Sequence, residues 1–120
     1  MKVAFTTSGQ NLDAPMDARF GRATGFIVYD TESDTFESVD NRQSVNTAQG
    51  AGVQATEAIV RQGANCLVTG HCGPNAFRAL SAAGIRIYTT EAATVAEALE
   101  AFRAGALAAI KSADVEGHWS

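Results

Sequence analysis

The sequence predicts a single α/β domain built on a mixed sheet, and three observations carry that expectation. Three short β-rich runs precede Asn41. Near Gly50 the apolar period changes from that of a strand to that of a helix. Beyond it, short apolar runs alternate with helical segments, as in βα units that return to one sheet.

Residues 3–7 form the first run, and a long irregular stretch follows over 8–24, containing Gly9, Pro15 and Gly21. A loop that long inside a compact domain is usually functional or mobile. Residues 26–29 and 35–39 bracket a polar turn and read as a β-hairpin; Phe36 and Ser38 share one face of the second run and Thr35, Glu37 and Val39 the other, an edge pattern. A helix from about Gly50 carries Val53, Thr56 and Val60 on one stripe, with Ala55 and Ile59 beside it and Gly63 as its stop. Residues 66–69 are apolar enough for a buried central strand. Gly73 and Pro74 open a second helix, with proline in its favoured first position, Phe77, Leu80 and Ser81 facing inward, and Gly84 ending it. Residues 85–88 make the last strand. Thr94 and Glu97 have capping-box spacing, Val95, Leu99 and Phe102 continue the stripe to Gly105, and residues 106–110 add a further helical turn or two. The order is β-β-β-α-β-α-β-α, with the first strand parallel to those from Cys66 and Ile85.

A chain of 120 residues is long enough for one core without disulfides or structural metal. Residues 1–112 read as the domain and 113–120 as a polar tail holding His118 and Trp119. A hydrophobic share of 46% against 18% charged residues excludes a disordered or coiled-coil chain. No apolar run suggests membrane insertion, and residues 1–7, with one lysine and a short apolar stretch, read as a first strand rather than a signal peptide, so a cytoplasmic location is expected. The net charge of −4, without a basic run, makes nucleic acid a poor partner. Cys66 and Cys72 suit neither a disulfide framework nor a four-cysteine zinc site.

Ligands in such sheets sit at the carboxyl ends of the parallel strands. Three segments converge there: residues 8–22 beginning at Ser8, residues 70–75, and residues 89–94. The densest is Gly70-His71-Cys72-Gly73-Pro74-Asn75, where glycines permit close backbone approach and a helix start favours negative charge. Cys72 is expected to face a ligand as the reactive thiol, and Cys66 to pack in the core. The alternative is a plain strand-to-helix turn. Arg19-Phe20-Gly21-Arg22 offers two guanidiniums to a multiply charged anion, with Phe20 covering its apolar side; the competing reading pairs the arginines with Asp13 and Asp17. Gln49, Gly50 and Gly52 enter the first helix, where helical glycine costs up to about 1 kcal/mol, so close approach of a ligand or another backbone competes with simple fraying. No carboxylate pair is placed for two-metal chemistry, since the first strand ends in Thr6, Thr7 and Ser8.

On the opening strand, Arg19-Phe20-Gly21-Arg22-Ala23, Gly70-His71-Cys72-Gly73-Pro74-Asn75-Ala76 and Gly84-Ile85, the chain resembles the dinitrogenase iron-molybdenum cofactor biosynthesis family, over roughly residues 3–102. It is most similar to that family's orange-protein branch of sulfate-reducing bacteria. The resemblance implies a ribonuclease-H-like mixed five-stranded sheet with helices on its faces and no nuclease activity. It also implies a non-catalytic carrier, storage or assembly role for an anionic molybdenum-copper sulfide cluster, seated without covalent attachment, with His71 and Cys72 as the candidate metal contacts. Protein partners in cluster delivery or assembly follow from that role. An iron-molybdenum-sulfur cluster is the alternative cargo; a small enzyme using Cys72 and a regulatory module are the alternative functions.

Overall fold

The computed structural model describes residues 1–41 and 51–111. Gln49, Gly50 and the expected tail over 113–120 lie outside the described residues. Strands β1 (Lys2–Thr7), β2 (Gly25–Asp30) and β3 (Thr35–Asp40) come first. Helix α1 (Ala51–Arg61), β4 (Cys66–Thr69), α2 (Pro74–Ala82), β5 (Arg86–Thr89) and α3 (Val95–Arg103) follow. The strands form one sheet in the order β3-β2-β1-β4-β5. β1, β4 and β5 are parallel, while β2 runs antiparallel to both β1 and β3. The element order along the chain is the expected β-β-β-α-β-α-β-α, and the sheet is the expected ribonuclease-H-like mixed one.

Strand alternation divides the core into two layers. Ala4, Phe26, Val28, Leu67 and Ile87 face α1 and α2, which add Ala55, Ile59, Ala76 and Leu80. Val3, Phe5, Ile27, Tyr29 and Val68 face α3, which adds Val95, Ala98 and Leu99. β1 and β4 are buried on both faces because they lie inside the sheet, which explains their nearly continuous apolar runs.

Three readings of the helices need correction. The buried side of α1 is Gly52, Ala55, Thr56 and Ile59, whereas Val53 and Val60 are exposed at 42% and 45%. The cause is Gly52, whose missing side chain lets α1 lie against Ala76 and so sets which face of the helix turns inward. On α2, Ala76 and Leu80 are buried but Ser81 is exposed. Residues 106–110 are not helical: Gly105 adopts φ +71°, and the chain then runs along β5, where Ile110 N–H donates to Ile87 O at 2.8 Å. Sheet pairing outweighs the helix propensity of those alanines. Among the described residues, no helix is long and apolar enough to cross a membrane.

Candidate functional site

The carboxyl ends of β1 and β4 finish in threonines, and their hydroxyls hold the long loop after β1. Thr6 Oγ1 donates to Asp17 O at 2.6 Å and lies 3.0 Å from Thr69 Oγ1; Thr7 Oγ1 donates to Pro15 O at 2.7 Å. All three threonines are buried. Backbone bonds extend the anchorage, with Asp17 N–H on Thr6 O at 2.9 Å, Met16 N–H on Ala93 O at 3.0 Å and Val95 N–H on Ala14 O at 3.0 Å. The three segments expected to converge therefore do so.

The arginine loop and the glycine turn meet directly. His71 N–H donates to Ala18 O at 2.7 Å, and Arg19 and His71 form a parallel bridge. Gly70 is required at the crossing, because a Cβ there would lie 2.7 Å from Ala18 Cα and 2.8 Å from Ala18 O. Asp17 Oδ1 accepts from Arg19 N–H at 3.0 Å, so this carboxylate shapes the turn through the backbone. Arg19 is exposed and Arg22 half-buried. The end of the loop is pinned by Asn41, whose Nδ2 donates to Ala23 O at 2.8 Å and whose N–H donates to Thr24 O at 2.9 Å.

Beside the crossing opens a cleft of about 180 Å³ lined by Met16, Asp17, Ala18, Gly70, His71 and Thr90 among others. It shares Gly70, His71, Thr90 and Glu91 with a more open space of about 340 Å³ that reaches Thr89 and Leu107. Ser8 lies apart from it, lining a separate cavity of about 250 Å³ with Gln10, Thr24 and Asp40.

Two expectations about side chains are overturned. Phe20 does not cover a ligand: it is 0% exposed and packs on Phe26, ring centroids 5.6 Å apart. Cys72 does not face the cleft either. It is 0% exposed in the layer under α1 and α2, with Sγ 3.7 Å from Gly73 O. The turn sends His71 toward the cleft and its successor into the core, as neighbouring residues point in different directions. Cys66 is buried as expected, and burial raises its thiol pKa against weaker opposing effects of Arg86 and the amino terminus.

The remaining candidates divide between rim and scaffold. Gly21 and Gly73 are buried, Pro74 is half-buried, and Asn75 is exposed with its Oδ1 accepting from the Arg78 guanidinium at 2.6 Å. Gly73 caps α2 with no side-chain hydrogen bond. Gly52 packs on Ala76, whose Cβ would lie 2.8 Å, Cα 3.2 Å and N 3.3 Å from an added Cβ. Met16, Thr90 and Glu91 line the cleft without having been singled out; the convergence of residues 89–94 was the available signal for the last two. Among the described residues, no group of three or more His, Cys, Asp or Glu could hold a metal ion.

Residues 1–105 match the family model described as "Dinitrogenase iron-molybdenum cofactor". The chain is 39% identical to the orange protein from Desulfovibrio gigas, solved in its apo form, with a TM-score of 0.92 and coverage of 95% of this chain and 96% of that one. A Thermotoga protein of the DUF35 family, solved by NMR, is 38% identical with a TM-score of 0.85, covering 97% and 98% of the two chains. A Methanocaldococcus jannaschii protein at 19% identity and TM-score 0.68, over 93% and 96%, shares the fold alone. No curated protein matches. The family model spans nearly the whole described chain, and two near-full-length relatives share the same sheet: the chain belongs to the dinitrogenase iron-molybdenum cofactor family.

Proposed function

We propose that the protein is a non-catalytic cytoplasmic carrier whose cargo is an anionic molybdenum-copper sulfide cluster, seated without covalent attachment where the loop of residues 18–22 crosses the turn of residues 70–75. The observation that carries this reading is the backbone bridge between Arg19 and His71 beside Gly70, which sets an exposed arginine next to a histidine that lines the open cleft. A sulfide cluster is large, polarizable and negatively charged. It fits arginine, imidazole and the backbone at a helix start better than it fits a cage of protein ligands. Where the chain supplies no three-residue donor group among the described residues, the metals keep their sulfides as ligands. The family's iron-molybdenum description favours a second cargo, an iron-molybdenum-sulfur cluster, at the same seat. A cysteine enzyme is disfavoured by the burial of Cys72.

The seat predicts what each group does. Arg19 and Arg22 hold charge, His71 donates or accepts at the cleft wall, and Gly70 keeps the two segments in contact. Delivery and assembly partners then exchange cargo at the open rim. Reconstitution of apo protein with thiomolybdate and copper, or with iron in parallel, tests the reading by visible absorption and metal analysis. The Arg19→Ala/Arg22→Ala variant is expected to lose about tenfold in affinity or more, with the loss smaller at high salt. Equal affinity in the variant would remove the arginines from the seat.

A further inference from the structure

We propose that the Thr6 hydroxyl is a positioning group for the seat: enclosed beneath the crossing, it sets how the loop carrying Arg19 meets the turn carrying His71, and through that loop it helps to set cargo affinity. This inference rests on the cargo reading above and adds to it a residue wholly covered by protein.

Thr6 grips Asp17 at two points. Its carbonyl accepts from Asp17 N–H at 2.9 Å, and its hydroxyl donates to Asp17 O at 2.6 Å. One bond alone would leave the loop able to pivot about it; the second fixes the direction in which the chain leaves Asp17. The next residues inherit that direction. Ala18 O accepts from His71 N–H at 2.7 Å, and Asp17 Oδ1 accepts from Arg19 N–H at 3.0 Å. The same hydroxyl lies 3.0 Å from Thr69 Oγ1, and Thr69 directly precedes the turn at Gly70. Thr69 O in turn accepts from Thr90 N–H at 2.9 Å. Asp17, Ala18, Gly70, His71 and Thr90 all line the cleft, so one enclosed hydroxyl stands behind the three segments of its wall.

The residue type suits the task. Two substituents on Cβ restrict rotation about the first side-chain bond, so the oxygen is held in place. A hydroxyl is also neutral and keeps a proton to donate. An ionised carboxylate at this strand end has no proton for Asp17 O, and it would stand as a like charge behind an anionic cargo. A hydroxyl that served the fold alone would add stability without touching affinity.

Thr6→Val keeps the branched shape and removes the hydroxyl, whereas Thr6→Ser keeps the hydroxyl. In metal-free, full-length protein, Thr6→Val is expected to speed hydrogen exchange of the Asp17 and His71 amides about tenfold relative to those of β2, with serine restoring the wild-type ratio. With thiomolybdate and copper as the probe, Thr6→Val should bind about threefold to tenfold more weakly, and Thr6→Ser as wild type does. The comparison with Arg19→Ala separates positioning from a structural role. Because Thr6 acts through the loop that carries Arg19, adding Thr6→Val to Arg19→Ala should weaken binding by less than about twofold, whereas independent effects multiply. Thr6→Ala carries the same expectations if the valine variant lacks a cooperative melt. Unchanged exchange, wild-type affinity in the variant, no rescue by serine, or losses that multiply would each overturn the proposal. A wild type that binds the probe, with Arg19→Ala weakened and Thr6→Val not, overturns the proposal and leaves the cargo reading standing. A wild type that takes up thiomolybdate with neither copper nor iron overturns both.

Discussion

A methyl group on Gly70 would press on the backbone of Ala18 rather than on a side chain that could swing aside. Gly70→Ala is therefore expected to part the arginine loop from the glycine turn, weakening cluster binding more than stability; reconstitution and thermal melting of the same variant separate the two effects. Gly52→Ala acts elsewhere, since its Cβ would meet Ala76 Cβ at 2.8 Å and overpack the α1–α2 contact. A loss of roughly 1–3 kcal/mol in denaturant unfolding is expected, the usual range for added volume in a filled core. The cysteines give the third outcome at this scale. Both are buried, so both should react slowly with an alkylating agent in the native protein, and Cys72→Ser should destabilise by about 1–3 kcal/mol by placing a hydroxyl in an apolar layer. Rapid alkylation of Cys72 would show that the turn opens in solution. At this scale the sequence was legible for position but not for direction. Glycines around His71 located the turn, yet whether Cys72 pointed out or in depended on the Ala18 contact, which lies across the fold. Phe20 was misread for the same reason.

Helix α3 is set by its ends. Thr94 Oγ1 accepts from Glu97 N–H at 3.2 Å, the half of the capping box that the Thr94–Glu97 spacing predicts, while the Glu97 carboxylate reaches one residue further back and accepts from Ala93 N–H at 3.0 Å. Thr94→Ala should cost about 1 kcal/mol in unfolding while leaving cluster affinity intact. At its other end Arg103 stacks on Tyr29, 5.0 Å from the ring centroid, and its guanidinium donates to the Tyr29 oxygen at 2.7 Å and to Asp34. Tyr29 O–H donates to Asp34 at 2.8 Å, and this bond, followed by Arg103, holds the Asp34 carboxyl below the usual 3.8. A lowered folded pKa gives stability that is complete above the unfolded value and is lost as pH falls through the folded one. Thermal midpoints should therefore drop below about pH 4, and Asp34→Asn should flatten that acid limb slightly, because the group is exposed and screened. Elements with local signals were the legible ones: the cap at Thr94, proline at the start of α2, and the polar turn of the hairpin. The course of residues 106–110 was not legible, since an alanine-rich stretch reads as helix until β5 supplies a partner.

As a whole, the described residues build the core as two apolar layers from their own side chains. Apo protein should unfold in one cooperative transition, unlike small domains that fold around zinc. A broad melt that sharpens on cluster loading would make the cluster structural. The parallel run of β1, β4 and β5 was readable because each βα unit returns to the sheet with one hand, whereas the threonine seam of Thr6, Thr7 and Thr69 was not, since Thr6 and Thr7 stood out only as missing carboxylates. That order also fixes a sequence of events during synthesis. β1 is the middle strand, and β2 can close one of its sides by antiparallel pairing across the loop of residues 8–24 once Asp30 has emerged. The other side waits for β4, which is complete only at Thr69, 39 residues later. At ~5–20 residues per second, that interval is roughly two to eight seconds. For that time the nascent chain displays the bare side of a strand with an apolar centre, Val3–Phe5, to its surroundings, and folding yield in the cell becomes a race between the ribosome and whatever strand reaches β1 first.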